Sequence, residues 1–99
     1  MNKELLNLIN DETELGAFGV LCTVTEESGS TPRSRGASMW VRPNGSIAGT
    51  IGGGLAEHEA IGAALELIAS GEPSVTWRRS LNETHGMACG GSISVYMEV

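Results

Sequence analysis

Apolar positions along this chain repeat with two periods. In AFGVLCTVT, Phe18, Val20, Cys22 and Val24 share one side of an alternating pattern, the two-residue step of a half-buried strand. SISVYMEV alternates more cleanly, with Ile93, Val95, Met97 and Val99 facing one way and Ser94, Tyr96 and Glu98 the other. From about Leu55 to Ala69 the step lengthens. Ile61, Ala64, Leu65 and Ile68 then recur three and four residues apart, the stripe of a helix, with Glu59, Glu66 and Ser70 opposite. Gly71 followed by Glu72-Pro73 ends that helix. SVTWRRSL reads as a further strand. SMWVRPNGSIAGTI reads as a hairpin about Asn44-Gly45, whose first strand Pro43 cuts short. Residues 2–9 read as a short helix carrying Leu5, Leu8 and Ile9 on one side, and ESGSTPRSRGAS as a loop. The predicted class is α+β: a single small domain, about five strands in a mixed or antiparallel sheet, one main helix and a short N-terminal helix. The pattern does not give the strand order.

Composition narrows the class without changing it. The 99 residues suit one domain over 1–99, and 40% apolar with 18% charged residues is the balance of a globular chain. No apolar run reaches membrane-spanning length. The first residues, MNKELLNLINDETELG, lack the apolar core of a secretory signal, so the expected location is the cytoplasm. There, Cys22 and Cys89 are not expected to form a stable disulfide.

A net charge of -6 argues against nucleic acid or an anionic membrane as partner. Its distribution is uneven. Glu4, Asp11, Glu12, Glu14, Glu26 and Glu27 face Lys3 alone in residues 1–27, whereas residues 28–50 hold Arg33, Arg35 and Arg42 and no acid. Such a segment can address a small anion; chance is the plainer account. A sheet domain this small is also expected to have an open edge, and hence to self-associate.

Three stretches carry candidate chemistry. GTIGGGLAEHE, from Gly49 to Glu59, places glycines between a strand and a helix, where backbone N–H groups can converge on an anion. It fails the two common nucleotide patterns: no lysine follows the glycines, and the third position after Gly54 is Glu57 rather than glycine. A tight turn with close helix–sheet packing explains the glycines equally well. Glu57, four residues before Ile61, falls on the sheet-facing stripe. Its plain role is to cap backbone donors at the helix start, and its functional role is to accept from a bound amine or ring N–H. His58 falls off the stripe and reads as a surface residue.

The second stretch, SGSTPRSRG, offers hydroxyls and arginines that can fork onto phosphate or carboxylate; solvated loop arms are the simpler account. The third is HGMACGG, His85 to Gly91. There Cys89 sits between Ala88 and Gly90, open to a ligand, a soft metal or a sulfur donor, although most lone cysteines are inert. His85 and Cys89 alone are too few for a zinc site.

Taken together, GSTPRSRGASMWVRPNGSIAGTIGGGLAE and GMACGG resemble the XdhC/CoxI family, accessory proteins of xanthine dehydrogenase and related molybdenum hydroxylases. The likeness runs from about Gly16 to the end of the chain. It implies a protein that binds the molybdenum cofactor, as molybdopterin or its dinucleotide form. Such a protein protects the cofactor while it gains a terminal sulfur and passes it to the apo-molybdenum hydroxylase. The matching positions are Ser30, Pro32, Arg33, Gly36, Gly49, Thr50, Gly52, Gly53, Gly54, Glu57, Cys89, Gly90 and Gly91. Glycine N–H groups and Arg33 suit the cofactor's phosphate, Glu57 a pterin N–H, and Cys89 the metal end.

Two departures bear on that expectation. Leu55 stands where family members often have cysteine after the three glycines, and the C-terminal Rossmann-like domain of longer members is not in this chain. The leading expectation is a cofactor-binding chaperone without turnover of its own. One alternative is a sulfur-transfer protein in which Cys89 takes persulfide, with a cysteine desulfurase as partner. The other is a docking module that has lost cofactor binding.

Overall fold

Residues 2–28, 35–80 and 92–99 are described by a computed structural model. In chain order the elements are α1 (Lys3–Glu14), β1 (Val20–Ser28), β2 (Ser38–Val41), β3 (Ile47–Gly49), α2 (Gly54–Ser70), β4 (Ser74–Ser80) and β5 (Ser92–Glu98). The five strands form one sheet in the order β3-β2-β1-β5-β4, and every neighbouring pair is antiparallel. The fold class is therefore α+β with two helices. None of the helices among the described residues is long and apolar enough to cross a membrane.

The alternation read from the sequence builds the core directly. Val20, Cys22 and Val24 of β1 lie on one face, opposite Val41 and Met39 of β2 and Met97 and Val95 of β5. All seven are at most 1% exposed. Fully burying a side chain of this size contributes about 1.5–3 kcal/mol. Two ends of the pattern lie outside it. Phe18 precedes β1 and is half exposed, and Val99 follows β5 and is exposed as well.

Cys22 is a free thiol inside this cluster. Burial pushes its pKa up to about 12, so at neutral pH it packs as a small apolar group.

α2 follows β3 at one edge of the sheet and leads into β4 at the other, so it runs across the buried face. Its C-terminus is as expected: Gly71 takes φ +78° and donates to the Ile68 carbonyl at 3.3 Å. Its contact stripe differs from the expected one. The fully buried residues are Ala60, Ala64 and Leu67, while Ile61, Leu65 and Ile68 pack from the sides. Two alanines let the helix axis approach the sheet, and the larger residues fill the flanks. Glu59, expected on the solvent side, forms an ion pair with Arg79 of β4.

The hairpin turns one residue earlier than Asn44-Gly45 suggests. The Arg42 carbonyl accepts from Gly45 N–H at 2.8 Å, so Pro43 and Asn44 are the corner, and Gly45 at φ +88° leads through Ser46 into β3.

α1 is longer than the expected 2–9. Asn2 caps it, its Oδ1 accepting from Leu5 N–H at 2.7 Å. Leu5 is its one buried residue, and its C-terminal half is held by polar contacts. Glu12 accepts from Trp40 Nε1 at 3.0 Å and from the Arg42 guanidinium, through Nε at 3.1 Å and Nη2 at 2.8 Å. The fork and the indole N–H together hold the Glu12 carboxyl below its ordinary value of 4.5, with Arg42 the larger cause.

A depressed carboxyl stabilises the fold above its unfolded pKa and loses that contribution as pH falls through the folded one. Acidification below about pH 4.5 is therefore expected to release α1 from Trp40. With Trp77 replaced by Phe, the Trp40 fluorescence should shift to the red before global unfolding, and Glu12→Ala should show the shift already at neutral pH. An unshifted spectrum in Glu12→Ala would show that the clamp does not hold α1.

Candidate functional site

The run from Gly49 to Gly54 links β3 to α2, and its glycines are required by backbone shape. Gly49, Gly52, Gly53 and Gly54 have φ of +79°, +124°, +78° and +70°. Side-chain-bearing residues rarely adopt these values. The resulting curl turns its polar groups inward, onto one carboxylate. Glu57, in the first turn of α2, accepts at Oε1 from the Thr50 hydroxyl, from Ile51 N–H at 3.0 Å and from Gly53 N–H at 3.2 Å. Thr50 Oγ1 in turn accepts from Gly52 N–H at 3.1 Å. The capping role expected of Glu57 is present, and Glu57 heads the same helical face as Ala60, Ala64 and Leu67.

This geometry redistributes the donors that an anion would need. Ile51 and Gly53 point their N–H groups at Glu57, and Gly52 points its own at Thr50. A phosphate at that point would meet a carboxylate already in place. Among the described residues, the hydrogen bonds of Glu57 all fall on Oε1. The N-cap residue of α2, Gly53, has no side chain with which to cap the first turn.

Thr50, Gly52, Gly53, Gly54 and Glu57 are thus brought together as one structural unit. Gly36 lies at the other side of a cavity of about 260 Å³, whose lining includes Gly49 and Thr50. Leu55, where a thiol was the family expectation, is exposed on the first turn of α2, and His58 is exposed as expected. Ser30, Pro32, Arg33, His85, Cys89, Gly90 and Gly91 lie outside the described residues. Among the described residues no three His, Cys, Asp or Glu side chains come together as a metal site.

The cationic segment also changes character. Arg42 is spent on Glu12, so it does not serve an anion, and Arg35 borders a surface hollow with Glu26 and Glu27. The pattern of charge gave no sign of the Arg42–Glu12 pair, because its members stand 30 residues apart.

The XdhC and CoxI family model matches residues 14–79, a span that takes in the hairpin, the glycine curl and Glu57. The chain is 37% identical over 82 residues to the uncharacterized protein YqeB of Escherichia coli (strain K12). That match covers 80% of this chain and 15% of YqeB. A crystal structure of a xanthine dehydrogenase from Bacillus halodurans shares the fold, with a TM-score of 0.71 at 24% identity. The likeness covers 94% of this chain and 29% of that one. The chain therefore spans a minor part of the length of both proteins.

Proposed function

The chain belongs to the XdhC and CoxI family, and from that premise we propose that it is an accessory protein that binds the molybdenum cofactor for a molybdenum hydroxylase. Residues 1–99 act in this reading as one cofactor-binding domain. The observation that carries it is the joined unit of Thr50, the glycines and Glu57 inside the matched span. A carboxylate fixed by three donors presents its second oxygen in a set direction, which suits recognition of a pterin N–H.

Because Glu57 takes up the curl's own N–H groups, the phosphate of the cofactor falls to Arg33 and Ser30 and to the helix start. Cys89 and Gly90 serve the metal end, where a thiolate is the soft ligand. When bound, the cofactor supplies the redox-active metal that the client enzyme uses. This chain's residues hold it, screen it and release it. The reading includes self-association, for which β4 offers an edge with a neighbouring strand on one side only.

Expression with active cofactor synthesis, followed by purification, oxidation and pterin fluorescence, tests this. The wild-type chain should retain pterin, and Arg33→Ala and Cys89→Ser should each lower retention by about tenfold, the worth of one charge-assisted contact. No pterin on the wild-type chain, or full retention in both variants, would overturn the assignment. Leu55 and the occupied curl favour a second reading, a module that docks the apo-enzyme without cofactor. Co-purification of a molybdenum hydroxylase with a pterin-free chain would select it.

A further inference from the structure

Ser38 begins β2, on the face of the sheet that carries Trp40 and α1. It is 8% exposed, and its buried hydroxyl has no hydrogen-bond partner among the described residues. Buried hydroxyls in folded proteins are nearly always paired, so this one is open to a water or to a ligand group. Ser38 lines the cavity of about 260 Å³ beneath the first turn of α1, together with Asn2, Leu5, Gly36, Gly49 and Thr50.

The chemistry of that lining is selective. Among the described residues it contains no charged side chain, so these offer a phosphate or a metal ion no counter-charge. Thr50 is committed to Glu57 and Gly52, and Asn2 Oδ1 is committed to Leu5. Among the described side chains, what remains is the Ser38 hydroxyl, able to donate and accept, and the Asn2 side-chain N–H. The volume falls below the roughly 300–1,000 Å³ of pockets that enclose whole ligands, so it suits one ring. Leu5, the one buried residue of α1, gives the cavity an apolar wall for the face of a ring.

We infer that this cavity takes the amide edge of a neutral nitrogen heterocycle, with Ser38 as its hydrogen-bonding group. Resting on the proposed function, it is the seat of the pterin ring, and it shares Thr50 with the Thr50–Glu57 unit. The 2-amino-4-oxo pyrimidine edge that would be read is common to pterin and guanine, and the experiment separates the two.

The purified full chain is titrated with pterin, by its fluorescence, and in parallel with guanosine and with inorganic phosphate. Saturable pterin binding is expected. Ser38→Ala should weaken it about tenfold while leaving the protein as stable to urea as before or more so, since an unpaired hydroxyl is removed. Ser38→Thr, which keeps the hydroxyl, should bind more tightly than Ser38→Ala. Guanosine bound in a Ser38-dependent way without pterin would uphold the site and overturn the cofactor assignment. No binding of either ring, equal binding by Ser38→Ala, or displacement of pterin by phosphate would overturn the inference. Retention of cofactor by Ser38→Ala in co-expression would then leave the proposed function standing alone.

Discussion

Glu57→Ala is expected to lower stability by about 2–3 kcal/mol, with the loss concentrated in the loop between β3 and α2. The substitution keeps good helix propensity and removes no core volume, so neither of those effects contributes. What it removes is the acceptor for three donors: the Thr50 hydroxyl and the N–H groups of Ile51 and Gly53. Thr50 is exposed and water can replace its partner, whereas the Ile51 side chain is 3% exposed and anchors its amide near the core. The greater share of the cost is therefore assigned to Ile51 and Gly53.

Hydrogen exchange separates this account from general destabilisation. The amides of Ile51 and Gly53 should lose protection far more than those of β1 and β5. Glu57→Gln retains an amide oxygen and loses the charge, so it should cost about 1 kcal/mol and keep partial protection. Unchanged protection at Ile51 in Glu57→Ala would show that the carboxylate does not organise the curl.

The same residue shows what a one-dimensional pattern can reveal. Glu57's place in the first turn, on the sheet-facing stripe, follows from counting residues, and so does a capping role. Which donors it takes depends on a curl set by four positive-φ glycines, a three-dimensional fact that the letters do not encode. The ends of α2 and the buried faces of β1 and β5 were legible because they rest on local chemistry and a strict period of two. The exact stripe of α2 was not. Pattern reading weights large residues, but the axis of closest approach runs over Ala60 and Ala64, chosen for their smallness. Long-range pairs are opaque for another reason. The partnership of β1 with β5, of Glu12 with Arg42 and of Glu59 with Arg79 is fixed only once the sheet has formed. Ser38 escaped notice because a serine at a strand start reads as a polar boundary, and only the folded chain shows it buried.

Gly49→Ala is expected to be more damaging than alanine at Gly53 or Gly54, at about 3 kcal/mol or more. Two independent costs act together. At φ +79° an alanine pays roughly 1–2 kcal/mol for a left-handed backbone. Its Cβ would also lie 2.6 Å from the Ser38 carbonyl oxygen and 3.2 Å from Leu5 Cδ2. The leucine can turn aside, but the carbonyl belongs to β2 and cannot move without disturbing the β2–β3 register, in which Gly49 stands opposite Met39. Gly53 and Gly54 also have positive φ but open space where a Cβ would go, so alanine there should cost backbone strain without a clash. Gly62, inside α2 with nothing within 4 Å and no positive φ, reverses the sign: alanine should stabilise by about 0.5–1 kcal/mol. Urea midpoints should rank Gly62→Ala above wild type, then Gly53→Ala, then Gly49→Ala. If Gly49→Ala matched Gly53→Ala, backbone strain alone would account for both, and the close approach of β3 to β2 and α1 would carry no energetic weight.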